Sequence, residues 1–213
     1  MSATERPIGI LGGTFDPVHN GHLRMALEAC EHLELDHVRL TPLNLPGHRA
    51  APRTPAALRL AMLRLIERPP LVVDDCEIAR GGVSYTVDTL AALRRRWPGR
   101  ALCLLVGRDA FRSLPAWHRA EQLLELAHVV VAARPGDAAT GAPGLDELIG
   151  SAQSLRVDDL HTHPAGRVYF LDIPLLPIAS SDLRARRATG RDIRYLLPDP
   201  VHDFVLARGL YLE

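Results

Sequence analysis

Residues 10–23 read ILGGTFDPVHNGHL: an apolar run, a pair of glycines, then His19 and His22 three positions apart. The segment Ile8 to Leu11 suits a buried strand. The run NGHLRMALEACEHL places Leu23, Ala26, Leu27 and Cys30 on one face, so a helix is expected from near Asn20. A strand that passes through a glycine turn into a helix is the first half of a β-α-β unit.

The same alternation continues outward. Val38 to Leu43, Leu71 to Val73, Leu102 to Val106, Val129 to Ala132 and Val168 to Ile173 read as further strands. Between them, TPAALRLAMLRLIER predicts a helix with Thr54 as N-cap and Pro55 in the first turn, and TVDTLAALRRRW turns Val87, Leu90 and Leu93 inward. Strands alternating with helices imply right-handed crossovers, hence an α/β fold with a doubly wound, mainly parallel sheet. Ligands of such sheets bind beyond the carboxyl ends of the strands, where the glycine pair sits. The irregular stretch 134–166 reads as a loop and lid candidate, with His161 and His163 assigned to that loop. Residues 178–213 read as short helices separated at Gly190 and Pro198, completing one domain over 1–213.

Composition narrows the function. Of 213 residues 47% are hydrophobic, enough for one well-buried core. Basic and acidic residues balance at 25 each, so net charge does not build a nucleic-acid or anionic-membrane binder, and no partner of either kind is expected. Every basic residue apart from the histidines is Arg, which excludes a Schiff-base or P-loop lysine. Cys30, Cys76 and Cys103 are odd in number and sit in apolar surroundings, the pattern of reduced core thiols. MSATERP has no apolar core of a signal peptide, and no apolar run reaches bilayer length, so a cytoplasmic protein is expected. Oligomeric state is left open, a homo-oligomer included.

Gly12 and Gly13 let backbone approach a ligand closely, and a helix beginning near Asn20 aims unpaired N–H groups at the same place. His19 and His22, one turn apart, then suit neighbouring oxygens of a polyphosphate. The spacing is not G-x-G-x-x-G, which argues against a dinucleotide turn, and it lacks the i, i+4 pair with intervening Glu of a zinc helix, so no protein metal site is expected. The run Arg94 to Arg96 reads as a solvated helix end.

GGTFDPVHNGH resembles the GTFDP-x-H-x-G-H signature of the nucleotidyltransferase superfamily, and IASSDLR at 178–184 resembles its second signature, ISSTxIR. Ser180 and Arg184 match there, while Ser181 keeps a hydroxyl in place of Thr. HR at 48–49, RLAML from Arg59, EIARGGVSYTVDTL from Glu77, VGRDAFRSLPAWHR from Val106, VVVAARPG and the tail YLLPDPVHDFVLARGLY are similar to the nicotinate-mononucleotide adenylyltransferase family of bacteria along nearly the whole chain.

That resemblance implies a Rossmann-like fold, ATP and nicotinate mononucleotide as partners, and Mg²⁺ carried on the ATP phosphates. It implies His19, His22 and Arg184 as catalytic residues. Gly12, Gly13, Thr14, Phe15, Arg49, Gly107, Asp109, Ser180 and Ser181 would bind ATP, and Tyr85, Thr86, Trp117 and Arg134 the acceptor. Several of these residues also suit plainer roles: a single histidine can cap a helix or sit partly buried with its ring satisfied. Ser180 and Ser181 can cap a helix that carries Arg184 on its surface. Thr86 and Asp109 can cap helices, Trp117 can pack beside Leu114 and Pro115, and Arg134 can be a solvated loop charge. A transferase for another phosphorylated acceptor, such as nicotinamide mononucleotide, and a non-catalytic nucleotide-binding regulator stand as alternatives.

Overall fold

The computed structural model describes residues 5–47, 51–133, 145 and 149–212. Seven parallel strands form one sheet: β1 (Ile8–Gly13), β2 (His37–Pro42), β4 (Leu71–Val73), β6 (Leu102–Gly107), β7 (His128–Ala133), β8 (Gln153–Ser154) and β9 (Val168–Asp172). Their order across the sheet is β4-β2-β1-β6-β7-β9-β8. All six strands expected from the sequence are present and parallel. The chain lays β2 and β4 to one side of β1, then crosses back to β6 and builds the other side. The direction therefore reverses between β1 and β6, and such a switch point opens a crevice at the carboxyl edge.

Helix α1 (Asn20–His32) begins where expected, just after that crevice. Helix α2 (Ala56–Arg64) starts later than expected: Pro55 is the N-cap and Thr54 precedes it, its carbonyl bonded instead to Arg59. Then come α3 (Cys76–Arg80), α4 (Thr86–Arg96), α5 (Arg108–Arg112), α6 (Leu123–Leu126), α7 (Asp158–Thr162), α8 (Ser180–Ala188) and α9 (Asp199–Ala207). Gly190 and Pro198 do separate the last two, Gly190 in the left-handed region.

Alternation along the strands splits the core into two layers. Ile8 and Ile10 face Val87, Leu90, Phe111 and Leu123 on one side, the side of α4 to α6. Leu11, Leu40 and Val18 face Ala26, Met62, Leu183, Val201 and Val205 on the other. The carboxy-terminal helices thus share the layer of α1, and this common apolar layer is what carries the SSDLR segment back to the start of the chain.

A second, two-stranded parallel sheet pairs β3 (Leu45–Pro46) with β5 (Val83–Ser84). Strands of two residues carry no readable alternation, so β3, β5 and β8 were not expected. His161 lies in α7 rather than in a loop, its Nε2 2.9 Å from the Leu33 carbonyl, and the His163 carbonyl meets His128 Nε2 at 2.8 Å. Most of the remaining lid candidate lies outside the described residues. Arg94 also departs from expectation. Its long stem returns the guanidinium to the protein, where it donates to the carbonyls of Arg100 at 2.6 Å and of Leu126 and Pro164 at 2.7 Å. Arg95 and Arg96 are the exposed charges. The three cysteines are unpaired. Among the described residues no helix is long and apolar enough to cross a membrane.

Candidate active site

The first turn of α1 is held by its own histidines. His19 is the N-cap in extended conformation, and its Nδ1 accepts the His22 N–H at 3.4 Å, while the His22 Nδ1 accepts the His19 N–H at 3.3 Å. This is a capping box in which imidazoles replace the usual hydroxyl and carboxyl. The rings stack with centroids 3.6 Å apart. With each Nδ1 an acceptor, the proton of a neutral ring belongs on Nε2, so both residues present an N–H donor on the side away from the helix backbone.

Burial keeps them neutral. It lowers the His19 pKa to about 4, and burial together with the neighbouring His19 holds His22 well below the ordinary histidine value. Gly21 sits between them because a methyl there would lie 3.0 Å from His19 Nδ1 and 3.3 Å from the Leu176 carbonyl. Phe15 underpins the pair. The residue is 1% exposed, and its ring meets that of His22 edge-on at 5.0 Å.

The second signature docks on the same turn. Ser180 Oγ donates to the Pro17 carbonyl at 2.9 Å and Arg184 Nη1 to the Asp16 carbonyl at 2.8 Å. Asn20 closes the contact from the other direction, its N–H donating to the Leu196 carbonyl at 3.0 Å and its Nδ2 to that of Tyr195 at 2.9 Å. The Tyr211 hydroxyl donates to the buried Asp16 carboxylate at 2.7 Å. Ser180 and Ser181 are the first two residues of α8, with Ala179 as N-cap, and neither hydroxyl caps the helix. The Ser180 hydroxyl is instead drawn to Pro17, which ties the start of α8 to the histidine turn, while Ser181 is exposed. Thr14 turns its carbonyl inward to Arg59 at 2.7 Å. A side chain at Gly12 would meet nothing within 4 Å, so the backbone there is open to a ligand.

The other half of the crevice lies across β6. Gly107 ends that strand and is the N-cap of α5. Asp109 is not a cap: its side chain is fully exposed, 3.7 Å from Arg112. Tyr85 is the N-cap of α4 and Thr86 its first residue. The Tyr85 ring lies 4.2 Å from that of His118, bringing the SYTVDTL block against the segment after α5. Trp117 is half-buried, packs on the core layer of α4 and donates Nε1–H to Ser113 Oγ at 3.1 Å. Arg49 and Arg134 lie outside the described residues.

The cytidylyltransferase-like family matches residues 10–186, spanning both signatures. A protein of Aeromonas hydrophila named "Probable nicotinate-nucleotide adenylyltransferase" is 46% identical over 96% of this chain and 97% of its own length. One of the same name from Chromohalobacter salexigens is 45% identical over 99% of each. The chain belongs to the nicotinate-nucleotide adenylyltransferase family. Its fold is that of Plasmodium falciparum nicotinic acid mononucleotide adenylyltransferase complexed with NaAD, with a TM-score of 0.73 at 18% identity, covering 98% of this chain and all of that one. The complex of the same Plasmodium enzyme with APC gives 0.71 over the same coverage.

Within this family member, sequence reasoning overlooked Gly21, Asn20, Arg59 and the Asp16–Tyr211 pair. The glycine stood inside the quoted signature, and its role follows only from the ring beside it. Arg59 occupies a helical apolar pattern, where an Arg ordinarily reads as solvated.

The buried histidines set an acid limit on the fold. His19 and His128 both titrate near 4 in the folded chain against 6.5 for an unburied imidazole. Between those values the unfolded chain binds more protons, so their contribution is complete above about pH 6.5 and is lost as pH falls towards 4. The urea midpoint is expected to drop by an amount worth a few kcal/mol between pH 7 and pH 4.5. A midpoint independent of pH over that range would show the rings to be protonated or exposed.

Proposed function

We propose that this chain transfers the adenylyl group of ATP to nicotinate mononucleotide, yielding deamido-NAD and pyrophosphate. The observation that carries the reading is the meeting of the imidazole pair and the Ser180–Arg184 turn on residues 16–20, at the switch point of the sheet. The full-length relatives supply the reaction class.

An oxygen of the acceptor phosphate attacks the α-phosphorus of ATP in line. One P–O bond forms and the bond from the α-phosphorus to the bridging oxygen of pyrophosphate breaks, so charge builds on the leaving group. The acceptor phosphate is already ionised, and no protein nucleophile or base is required. Catalysis consists of alignment and of donors aimed at the leaving oxygens. His19 and His22 give Nε2–H to the transferring and leaving phosphates. The backbone at Gly12, Gly13, Thr14 and Phe15 lines the α-phosphate, Arg184 and Ser181 meet the outer phosphates, and Gly107 with Asp109 approaches the ribose. Tyr85, Thr86 and Trp117 form the acceptor pocket, where the indole face suits a cationic pyridinium and donors near Thr86 suit a carboxylate. Among the described residues no group of three or more His, Cys, Asp or Glu could hold a metal, and Asp16 is engaged by Tyr211. The side chains therefore suit Mg²⁺ held by phosphate and water, where it would neutralise phosphate charge.

Pyrophosphate release with a panel of acceptors tests the proposal. Nicotinate mononucleotide is expected to exceed its amide by at least about tenfold in kcat/KM, because a pocket built for a carboxylate leaves donors unpaired against an amide. Equal values would assign a different acceptor, and binding of ATP without release would leave a regulator.

A further inference from the structure

Among the described residues Arg59 is the largest side chain that is fully buried, 1% exposed, and none of its hydrogen-bond partners there is a carboxylate. Its Nε donates to the Thr54 carbonyl at 3.1 Å, Nη1 to that of Thr14 at 2.7 Å and Nη2 to that of Asn44 at 3.0 Å. All three carbonyls lie outside helices and strands and would be orphaned without the fork. A buried cation is costly, and Asp16 offsets only part of that cost through space. An apolar side chain would fill the same volume more cheaply, so what the guanidinium contributes is geometry: from its anchor on Thr54, one rigid plane fixes the Thr14 and Asn44 peptides relative to each other.

Those two peptides belong to the two halves of the crevice. Thr14 follows the glycine pair. Its carbonyl is turned inward to the guanidinium, so the course of the loop between the glycine pair and buried Phe15 is fixed by that bond. Asn44 leads to the acceptor block. Its N–H donates to Ser84 Oγ at 2.9 Å and its Nδ2 to the Gly82 carbonyl at 2.8 Å, immediately before Tyr85 and Thr86. Ser84 in turn meets buried Glu77, which accepts the Thr89 hydroxyl of α4 at 2.6 Å. Hydrogen bonds therefore run from the nucleotide loop through Arg59 and Asn44 to Ser84 and Gly82, just ahead of the amino end of α4.

We propose that Arg59, acting through the Thr14 and Asn44 peptides, is a positioning residue that sets the distance between the nucleotide loop and the acceptor pocket. The inference rests on the adenylyl-transfer reading. ATP alone needs the loop at Thr14 and the acceptor alone needs the block at Tyr85 and Thr86, so neither is sensitive to the spacing between those two segments; the in-line step needs both in register, and a displacement of about 1 Å costs on the order of a hundredfold in rate.

The test uses the full chain with Arg59→Lys, which keeps the charge and loses the fork, and Asn44→Ala, a half-buried change that leaves Arg59 in place. Calorimetric affinities for ATP alone and for nicotinate mononucleotide alone are expected to stay within about threefold of wild type, while kcat falls about thirtyfold in Arg59→Lys and about tenfold in Asn44→Ala. The double variant should be no worse than Arg59→Lys, since both lie on one line of contacts. A kcat within threefold of wild type in Asn44→Ala, or a loss carried wholly by the affinity of either single substrate, would overturn the inference, and Asn44→Ala decides it should Arg59→Lys melt early. If wild type turns over and the variants do not differ from it, this inference alone fails. If wild type releases no pyrophosphate with nicotinate mononucleotide, the underlying reading fails with it.

Discussion

His22→Ala is expected to lower kcat about a thousandfold, the loss that follows removal of one preorganised donor from a developing oxyanion. The size of the effect follows from how the ring is held. Its Nδ1 is committed to the His19 backbone N–H, its face to the His19 ring and its edge to Phe15, so Nε2–H is aimed before substrate arrives. Folding should suffer much less. The capping box and the stack contribute about 1–2 kcal/mol, a shift of only several degrees in Tm for a chain of this size. His22→Gln separates the two roles, because a glutamine at this position can still reach the N-cap backbone but brings no imidazole. It should melt near wild type and remain at least about a hundredfold slow. Near-normal turnover in either variant would remove His22 from the catalytic set.

Arg184→Met should lower kcat/KM for ATP about a hundredfold, with the larger share in the term that reports the transition state. Its Nη1 donates to the Asp16 carbonyl, and the residue is half-buried beside the histidine turn, where its charge acts in a partly desolvated setting. Methionine preserves the stem and the packing of α8, so the stability loss is limited to the stranded Asp16 carbonyl, about 1 kcal/mol. Arg184→Lys keeps the charge without the fork and should fall between the two. Steady-state rates at varied ATP, with nicotinate mononucleotide saturating, measure this; an unchanged kcat/KM would place the arginine in a purely structural role.

How far the sequence discloses the site depends on what kind of signal each residue leaves. Buried parallel strands are continuous apolar runs, so six of the seven strands of the large sheet and the crevice they create were legible, as was the start of α1. The convergence of residues 16–20 with 178–184 was legible only as paired signatures; the contact itself depends on α8 and α9 sharing a core layer with α1, which no local pattern records. Caps are ordinarily read from Ser, Thr, Asp and Asn, so capping stood only as the plainer role of a single histidine, and His19 fills it. Ser180 and Ser181 showed the converse, since a hydroxyl at a helix start suggests a cap and the Ser180 side chain is drawn to Pro17 instead. Arg94 was misread, and Arg59 passed over, for one reason: an arginine in a helical pattern counts as solvated until the backbone carbonyls that need it are seen.

The account turns on two neutral imidazoles that present Nε2–H to a triphosphate. Nitrogen NMR of histidine-labelled protein at neutral pH, with and without a non-hydrolysable ATP analogue, tests this most directly. His19 and His22 should show unprotonated Nδ1 and protonated Nε2 in the free protein, and the analogue should shift both Nε2 resonances. Protons on Nδ1, or Nε2 signals indifferent to the nucleotide, would contradict it.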